Sequence, residues 1–180
     1  RAPEVVLLAS EYTKSIDVWS VGCVLCELVG RKPIFACKEN DHLGQIKKML
    51  EVLGTPTDDE LTWLPPRSPA RNLLKKLPHA TKQSFKAICP KATDAGIEAL
   101  ERMLAFNPTK RATVSDCLLL RYYETLHRPD DEPTSEIQVD WAFNKIDPTK
   151  SNLQKLMYAE CCKFHPEIAQ RDGKAFDGVE

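Results

Sequence analysis

The sequence has little of what marks several protein classes. No run of 18 apolar residues occurs in its 180 residues, so no membrane-spanning helix is expected. Lys and Arg number 25 against 26 Asp and Glu, a net charge of −1, so no general basic field points to nucleic acid. The seven glycines are isolated or near the chain ends and never form G-x-G-x-x-G. That leaves out the glycine-rich turn that brings backbone N–H groups onto nucleotide phosphates. The seven cysteines are irregularly spaced, which suits free thiols in a reducing compartment. No second C-x-x-C or paired histidine accompanies Cys23-Val24-Leu25-Cys26, and Cys161-Cys162 lacks metal-ligand spacing. Cys23 and Cys26 lie in an apolar helical run and read as small core hydrophobes. The opening Arg1-Ala2-Pro3-Glu4 is not a signal peptide.

What is present is helix after helix. Hydrophobic residues make up 42% of the chain and charged residues 28%, enough for a core under a solvated surface. Ser15 to Val29 is apolar almost all round, which predicts a helix buried on every side, with Gly30 as its left-handed cap and Pro33 beyond. Asn40 or Asp41 caps a second helix that carries Leu43, Ile46, Leu50 and Leu53 on one face and stops at Gly54. Thr57-Asp58-Asp59-Glu60 is a capping box for a short third helix. Residues 64–92, with Pro65, Pro66, Pro69, Pro78 and Pro90, read as an ordered insert with short helical pieces. Thr93-Asp94 opens an amphipathic helix with Ile97, Leu100, Met103 and Leu104 inward, ended by Asn107-Pro108. Thr113 caps a helix running to about Tyr123. Residues 128–150 read as extended, and Ser151-Asn152-Leu153-Gln154 as the box opening a last helix through Leu156, Met157 and Phe164. Nothing alternates convincingly as a strand, so the fold class is mainly α.

Three stretches carry more than periodicity: Arg1-Ala2-Pro3-Glu4, then Tyr12-Thr13-Lys14-Ser15-Ile16-Asp17-Val18-Trp19-Ser20-Val21-Gly22-Cys23, then Phe106-Asn107-Pro108-Thr109-Lys110-Arg111. Together they resemble the second half of a protein kinase domain, beginning at the Ala-Pro-Glu that closes the activation segment. The branch it resembles is the mitogen-activated protein kinases, of the extracellular-signal-regulated type. That resemblance also rests on Arg31-Lys32 before Pro33-Ile34-Phe35, Leu53-Gly54-Thr55-Pro56, Ala70-Arg71-Asn72, Leu77-Pro78, Asp131-Glu132-Pro133 and Phe164-His165-Pro166-Glu167. It spans about residues 1–167.

The resemblance implies the helical C-lobe of the kinase fold, without the N-lobe, the catalytic loop and most of the activation segment. Residues 1–127 would be partial C-lobe with an insert at about 54–92, 128–167 a C-terminal extension, and 168–180 a polar tail. No His-Arg-Asp or Asp-Phe-Gly occurs; the nearest string is His127-Arg128-Pro129-Asp130. No residue here is therefore expected to be catalytic or to bind a metal, and the segment alone is expected to be inactive and without Mg-ATP affinity. ATP and Mg²⁺ are cofactors of the parent kinase, which phosphorylates Ser or Thr before proline.

Structural roles follow for Glu4, Arg111, Asp17, Trp19 and Gly22. Glu4 is expected to pair with Arg111. Asp17 either lies against the helix dipole or reaches the backbone of the catalytic loop. Arg1 resembles the arginine near the phosphotyrosine and the residue after the phosphoacceptor; it is otherwise a frayed end. Asp130, Asp131 and Glu132 fall where the family has an acidic docking patch, although Arg128 stands where acid is usual. Val6, Leu7, His42, Leu43, Ile46 and Leu73 match a hydrophobic docking pocket, less aromatic than usual; core packing alone also accounts for Leu43 and Ile46. Leu120-Arg121 departs from the usual His-Pro. The implied partners are protein substrates, an upstream activating kinase and phosphatases, with no nucleic acid and no membrane. The implied location is the cytoplasm, with the nucleus as a second site. A non-catalytic docking module derived from a kinase is the alternative reading.

Overall fold

The computed structural model describes residues 1–7, 13–38, 41–133 and 135–172. Among these residues there are α-helices and turns and no strand, the mainly α class that the periodicity implies. The chain divides into two compact units, Arg1–Pro129 and Asp130–Glu180.

The first unit holds α1 (Pro3–Leu7), α2 (Ser15–Gly30), α3 (His42–Leu53), α4 (Pro69–Lys76), α5 (Phe85–Ile88), α6 (Asp94–Met103) and α7 (Val114–Leu118). Its core gathers Trp19 and Cys26 of α2, Ile46, Met49 and Leu50 of α3, Leu74 of α4, Phe85 of α5, and Leu100 of α6 with the following Leu104 and Phe106. Helix α2 packs closely on α6. A Cβ on Gly22 would lie 2.9 Å from both Leu104 Cδ2 and Met103 Cβ, so only glycine permits this approach.

Burial of α2 is one-sided, contrary to expectation. Val18, Trp19, Gly22 and Cys26 are buried. Val21, Val24 and Leu28 are 52%, 57% and 65% exposed and recur at i, i+3 and i+7 as a single stripe. An all-apolar sequence states what a helix can bury; the cover must come from other elements, and among the described residues those pack on the opposite face. The cap also differs. Gly30 stays helical, and Arg31 takes the left-handed turn at φ 61°, its N–H donating to the Glu27 carbonyl at 2.7 Å. Space is tight at Gly30 instead, since a Cβ there would sit 3.1 Å from Cys89 Sγ.

α3 is capped by Asp41, which accepts from Gly44 N–H at 2.7 Å; Asn40 lies outside the described residues. Gly54 ends it at φ 82°, against the backbone of Lys82. The Thr57–Glu60 box closes reciprocally, with Thr57 N–H on Glu60 at 2.8 Å and Glu60 N–H on Thr57 Oγ1 at 3.3 Å. Turns rather than a helix follow it, because Pro65 and Pro66 supply no N–H to propagate one. The insert contains α4, capped by Ser68 with Pro69 at its first position, and α5. Its return strand of chain is stitched to the end of α3. Thr55 and Ala80 exchange bonds at 2.9 Å, and Gln83 N–H donates to the Val52 carbonyl at 2.8 Å.

α6 starts at Thr93 as expected but stops at Met103, before Asn107-Pro108. Ala112 N–H takes the Arg102 carbonyl at 3.1 Å, an acceptor that a continuing helix would have used. α7 has a complete Thr113/Asp116 box, and the Thr113 hydroxyl and N–H hold the Asp116 carboxyl below its usual range. It ends at Leu118, short of Tyr123, as the Leu120 and Tyr123 N–H groups switch to acceptors three residues back.

The second unit contains a 3₁₀ turn Ala142–Lys145, α8 (Lys150–Phe164) and α9 (Pro166–Asp172). The described residues of 128–149 are irregular apart from that turn and another at Pro129–Asp131. The cap of α8 is Thr149, accepting from Asn152 N–H at 3.2 Å, two residues before the expected Ser151. α9 continues to Asp172, into the stretch expected as tail, and the Tyr158 hydroxyl ties it to α8 through Asp172 at 3.1 Å. Residues 173–180 lie outside the described residues.

Cys26 faces Cys89, 63 residues away, at an Sγ–Sγ distance of 3.5 Å, and not its sequence partner Cys23. Burial, reinforced by the Cys89 thiol, pushes Cys26 up to about 12, and burial pushes Cys23 up to about 11. The thiolate is the reactive form. At pH 8 an aromatic disulfide reagent is therefore expected to label exposed Cys37 and Cys161 rapidly and Cys26 only as the unit unfolds. Equal labelling rates for Cys26 and Cys37 in peptide mapping would contradict this packing.

Candidate functional site

Two segments far apart in sequence converge on the N-terminal end of α2. The first is Ala2-Pro3-Glu4. Ala2 is fully buried, Pro3 occupies the first position of α1, and the Val5 and Val6 N–H groups donate to the Ala2 carbonyl at 3.1 and 3.2 Å. This turn points Glu4 inward. The second is the loop after α6, where the buried Asn107 side chain accepts from Thr109 N–H and Oγ1, both at 2.8 Å. The Arg111 N–H then donates to the Asn107 carbonyl at 3.1 Å, fixing the arginine's direction.

Glu4 and Arg111 meet as a bidentate pair, Nη1 to Oε1 at 2.6 Å and Nη2 to Oε2 at 3.0 Å, with side chains 3% and 0% exposed. Arg111 Nη1 also donates to the Ser15 carbonyl at 2.8 Å and Nε to the Ala105 carbonyl at 3.1 Å. Ser15 Oγ donates to Glu4 Oε1 at 3.2 Å. The guanidinium carbon lies 5.0 Å from the centroid of Trp19, whose ring stacks on Phe35 at 5.2 Å. A buried charge pair is tolerable when its polar atoms are met, and here each nitrogen of the guanidinium and each oxygen of the carboxylate has at least one partner. The pair was readable from the motifs. The Ser15 and Ala105 carbonyls and the Phe35 stack were not, since backbone acceptors leave no mark in sequence. One arginine thus joins α1, the start of α2 and the loop after α6.

The other residues singled out by sequence take different places. Trp19 is core, and Gly22 is the crossing point of α2 and α6. Asp17 is exposed in the first turn of α2, and its carboxylate accepts no hydrogen bond among the described residues. It stands at an apolar cavity of about 270 Å³ lined by Val18, Val21, Met103, Cys117 and Tyr123. Arg1 is exposed, and its carbonyl accepts from Gln45 of α3 at 3.5 Å. Asp130 and Asp131 lie in the 3₁₀ turn, with Glu132 next; all three are exposed, as is Arg128.

The hydrophobic set divides. α1 packs on α3, which brings half-buried Val6 and Leu7 to the helix carrying His42, Leu43 and Ile46. Ile46 is 1% exposed and belongs to the core, whereas His42, Leu43 and, on α4, Leu73 are at the surface. Of the two readings open for Leu43 and Ile46, core packing accounts for Ile46 alone.

The protein kinase domain profile matches residues 1–123. A mitogen-activated protein kinase of Aspergillus fumigatus is 44% identical over 89% of this chain and 46% of its own length. The extracellular signal-regulated kinase 1 of Dictyostelium discoideum is 39% identical over 94% of this chain and 32% of its own, and a mitogen-activated protein kinase of Fusarium vanettenii is 43% identical over 89% and 45%. The chain thus spans between about a third and a half of the length of the curated relatives it matches.

Proposed function

The chain belongs to the protein kinase family, with mitogen-activated kinases as its relatives, and from that premise we propose that it forms the substrate- and docking-side helical lobe of a proline-directed Ser/Thr kinase. The observation that carries this reading is the buried Glu4–Arg111 pair. It fastens the turn after Arg1 to the helical body, which is what an activation segment requires at its end if substrates are to rest on it.

The family implies ATP and Mg²⁺. Among the described residues no three His, Cys, Asp or Glu side chains converge to hold a divalent cation, and the sequence offers no glycine-rich turn for phosphates. These residues do not fit the group, so no phosphoryl-transfer step is derived through them. Their work is positional. Arg1 would face the phosphorylated activation loop, since a planar guanidinium bonds phosphate in bidentate fashion. Asp130, Asp131 and Glu132 would draw basic docking segments of substrates, activating kinases and phosphatases, in the cytoplasm and the nucleus.

A fluorescent peptide with two or three basic residues followed by spaced aliphatics tests the docking role. Exposed charges steer more than they bind, so a micromolar-class affinity that weakens with salt is expected. Asp131→Asn with Glu132→Gln should weaken it clearly, and Glu98→Gln on α6 should not. Equal binding by the double variant and the parent would leave the acidic turn as solvated surface. Thermal melts with Mg-ATP should show no saturable stabilisation; a rise in Tm obeying mass action would contradict the positional reading.

A further inference from the structure

Charge in this chain is segregated. Net charge is −1, yet residues 61–93 contain seven of the basic residues and not one Asp or Glu. Three of the seven reach acids outside that stretch, at long distances: Arg71 to Asp58 at 3.8 Å, Lys82 to Glu101 at 3.6 Å and Lys86 to Asp94 at 3.9 Å. Lys75 and Lys76, in the last turn of α4, are exposed and meet no carboxylate among the described residues.

Directly after them the chain forms one wall of a cavity. Leu77, Pro78, His79 and Ala80 stand opposite Lys47, Leu50 and Glu51 of α3 and enclose about 280 Å³. Leu50, Leu77, Pro78 and Ala80 supply apolar surface, and Lys47 and His79 supply polar groups. The acid in the lining, Glu51, is engaged by Lys48 Nζ at 2.6 Å. The wall is held in place: Ala80 is bonded to Thr55, and the Gln83 side chain donates to the Glu51 carbonyl at 2.7 Å. Lys47 lines this apolar recess and Lys75-Lys76 immediately precede its Leu77–Ala80 wall, a setting that can select by charge as well as by shape.

We propose that this recess docks an acidic peptide, which seats one bulky aliphatic side chain between α3 and Leu77–Ala80 while flanking carboxylates face Lys47, Lys75 and Lys76. Its polarity is opposite to that of the Asp130–Glu132 turn, so the two surfaces would hold different partners. The apolar lining of Leu50, Leu77, Pro78 and Ala80 favours a peptide over nucleic acid, because such a recess suits an aliphatic side chain.

Fluorescence anisotropy on the whole 180-residue chain tests this. The probe is a fluorescein-labelled nonapeptide with a central leucine flanked by Asp and Glu. Micromolar-class binding is expected at low salt, weakening several-fold from about 50 to 200 mM NaCl. Lys75→Glu with Lys76→Glu should weaken it about tenfold, and Lys47→Glu should do so independently from the other wall. Lys145→Glu in the second unit should change nothing. Replacing the peptide's acids by Asn and Gln, or its leucine by serine, should each cost about tenfold. The proposal is overturned by equal binding of the Asn/Gln peptide. It is also overturned by unchanged affinity in both wall variants with native circular dichroism. Absent peptide binding, with or without retention of the chain on duplex oligonucleotide or phosphatidylserine vesicles, overturns it too.

Discussion

Arg111→Ala is expected to lower the unfolding free energy of the Arg1–Pro129 unit by about 3–5 kcal/mol, because it strands the Glu4 carboxylate in the interior. It also frees the Ser15 and Ala105 carbonyls, which lose their guanidinium donors together. In urea the midpoint should fall while the slope stays constant, since the native fold is weakened rather than rearranged. A second variant separates charge from packing. Glu4→Leu with Arg111→Met removes both ions and keeps bulk, and it should recover more than half of the loss, because no unpaired charge remains. A loss under about 1 kcal/mol for Arg111→Ala, or a double variant no better than the single, would show that the pair is not buried as described.

Trp19→Ala is expected to cost about 3–5 kcal/mol, the range for emptying an aromatic site in a packed core. The indole supports two neighbours at once, Phe35 by stacking and Arg111 through its face. Its Nε1 finds no acceptor among the described residues, so Trp19→Phe gives up packing but no hydrogen bond and should cost distinctly less than Trp19→Ala. Leu28→Ala on the same helix removes a side chain that is already exposed and should change stability by no more than about 0.5 kcal/mol. Denaturation followed by far-ultraviolet circular dichroism compares the three without relying on the deleted fluorophore. Similar losses for Trp19→Ala and Leu28→Ala would mean that α2 is covered on both faces. The Trp19 and Arg111 losses should also combine non-additively, because the two side chains touch.

The sequence showed the mainly α class, the helices that became α2, α3, α6 and α8, and the two ends of the buried ion pair. The caps Asp41, Thr93 and Thr113 were legible because each is a local signal that needs only its own next turn. Extents were less so. α6 and α7 end early where a loop N–H or a three-residue spacing competes for carbonyls, and the sequence does not say which competitor arrives. Arg31 in place of Gly30 shows the same limit: Gly30 packs closely against Cys89, a residue known to be near only once the chain is folded. The exposed stripe on α2 was illegible for a plainer reason. Apolarity records a demand for cover, and the cover is a property of other segments. Within the site, Glu4 and Arg111 were marked by motif, whereas the choice between core and surface for Ile46 and Leu43 turned on helix phase. The lysines beside the recess were visible as charge but not as walls.

Glu4 and Arg111 stand 107 residues apart in the chain. On a ribosome adding about 5–20 residues per second, Glu4 is made roughly five to twenty seconds before its partner. Through that interval its carboxylate lacks the guanidinium, with water and the Ser15 hydroxyl as its available donors, and burying it unpaired is costly. The latch therefore cannot shut until the chain has been made as far as Arg111. If the pair is absent from the folding transition state, it adds little to the speed of folding and much to the slowness of unfolding.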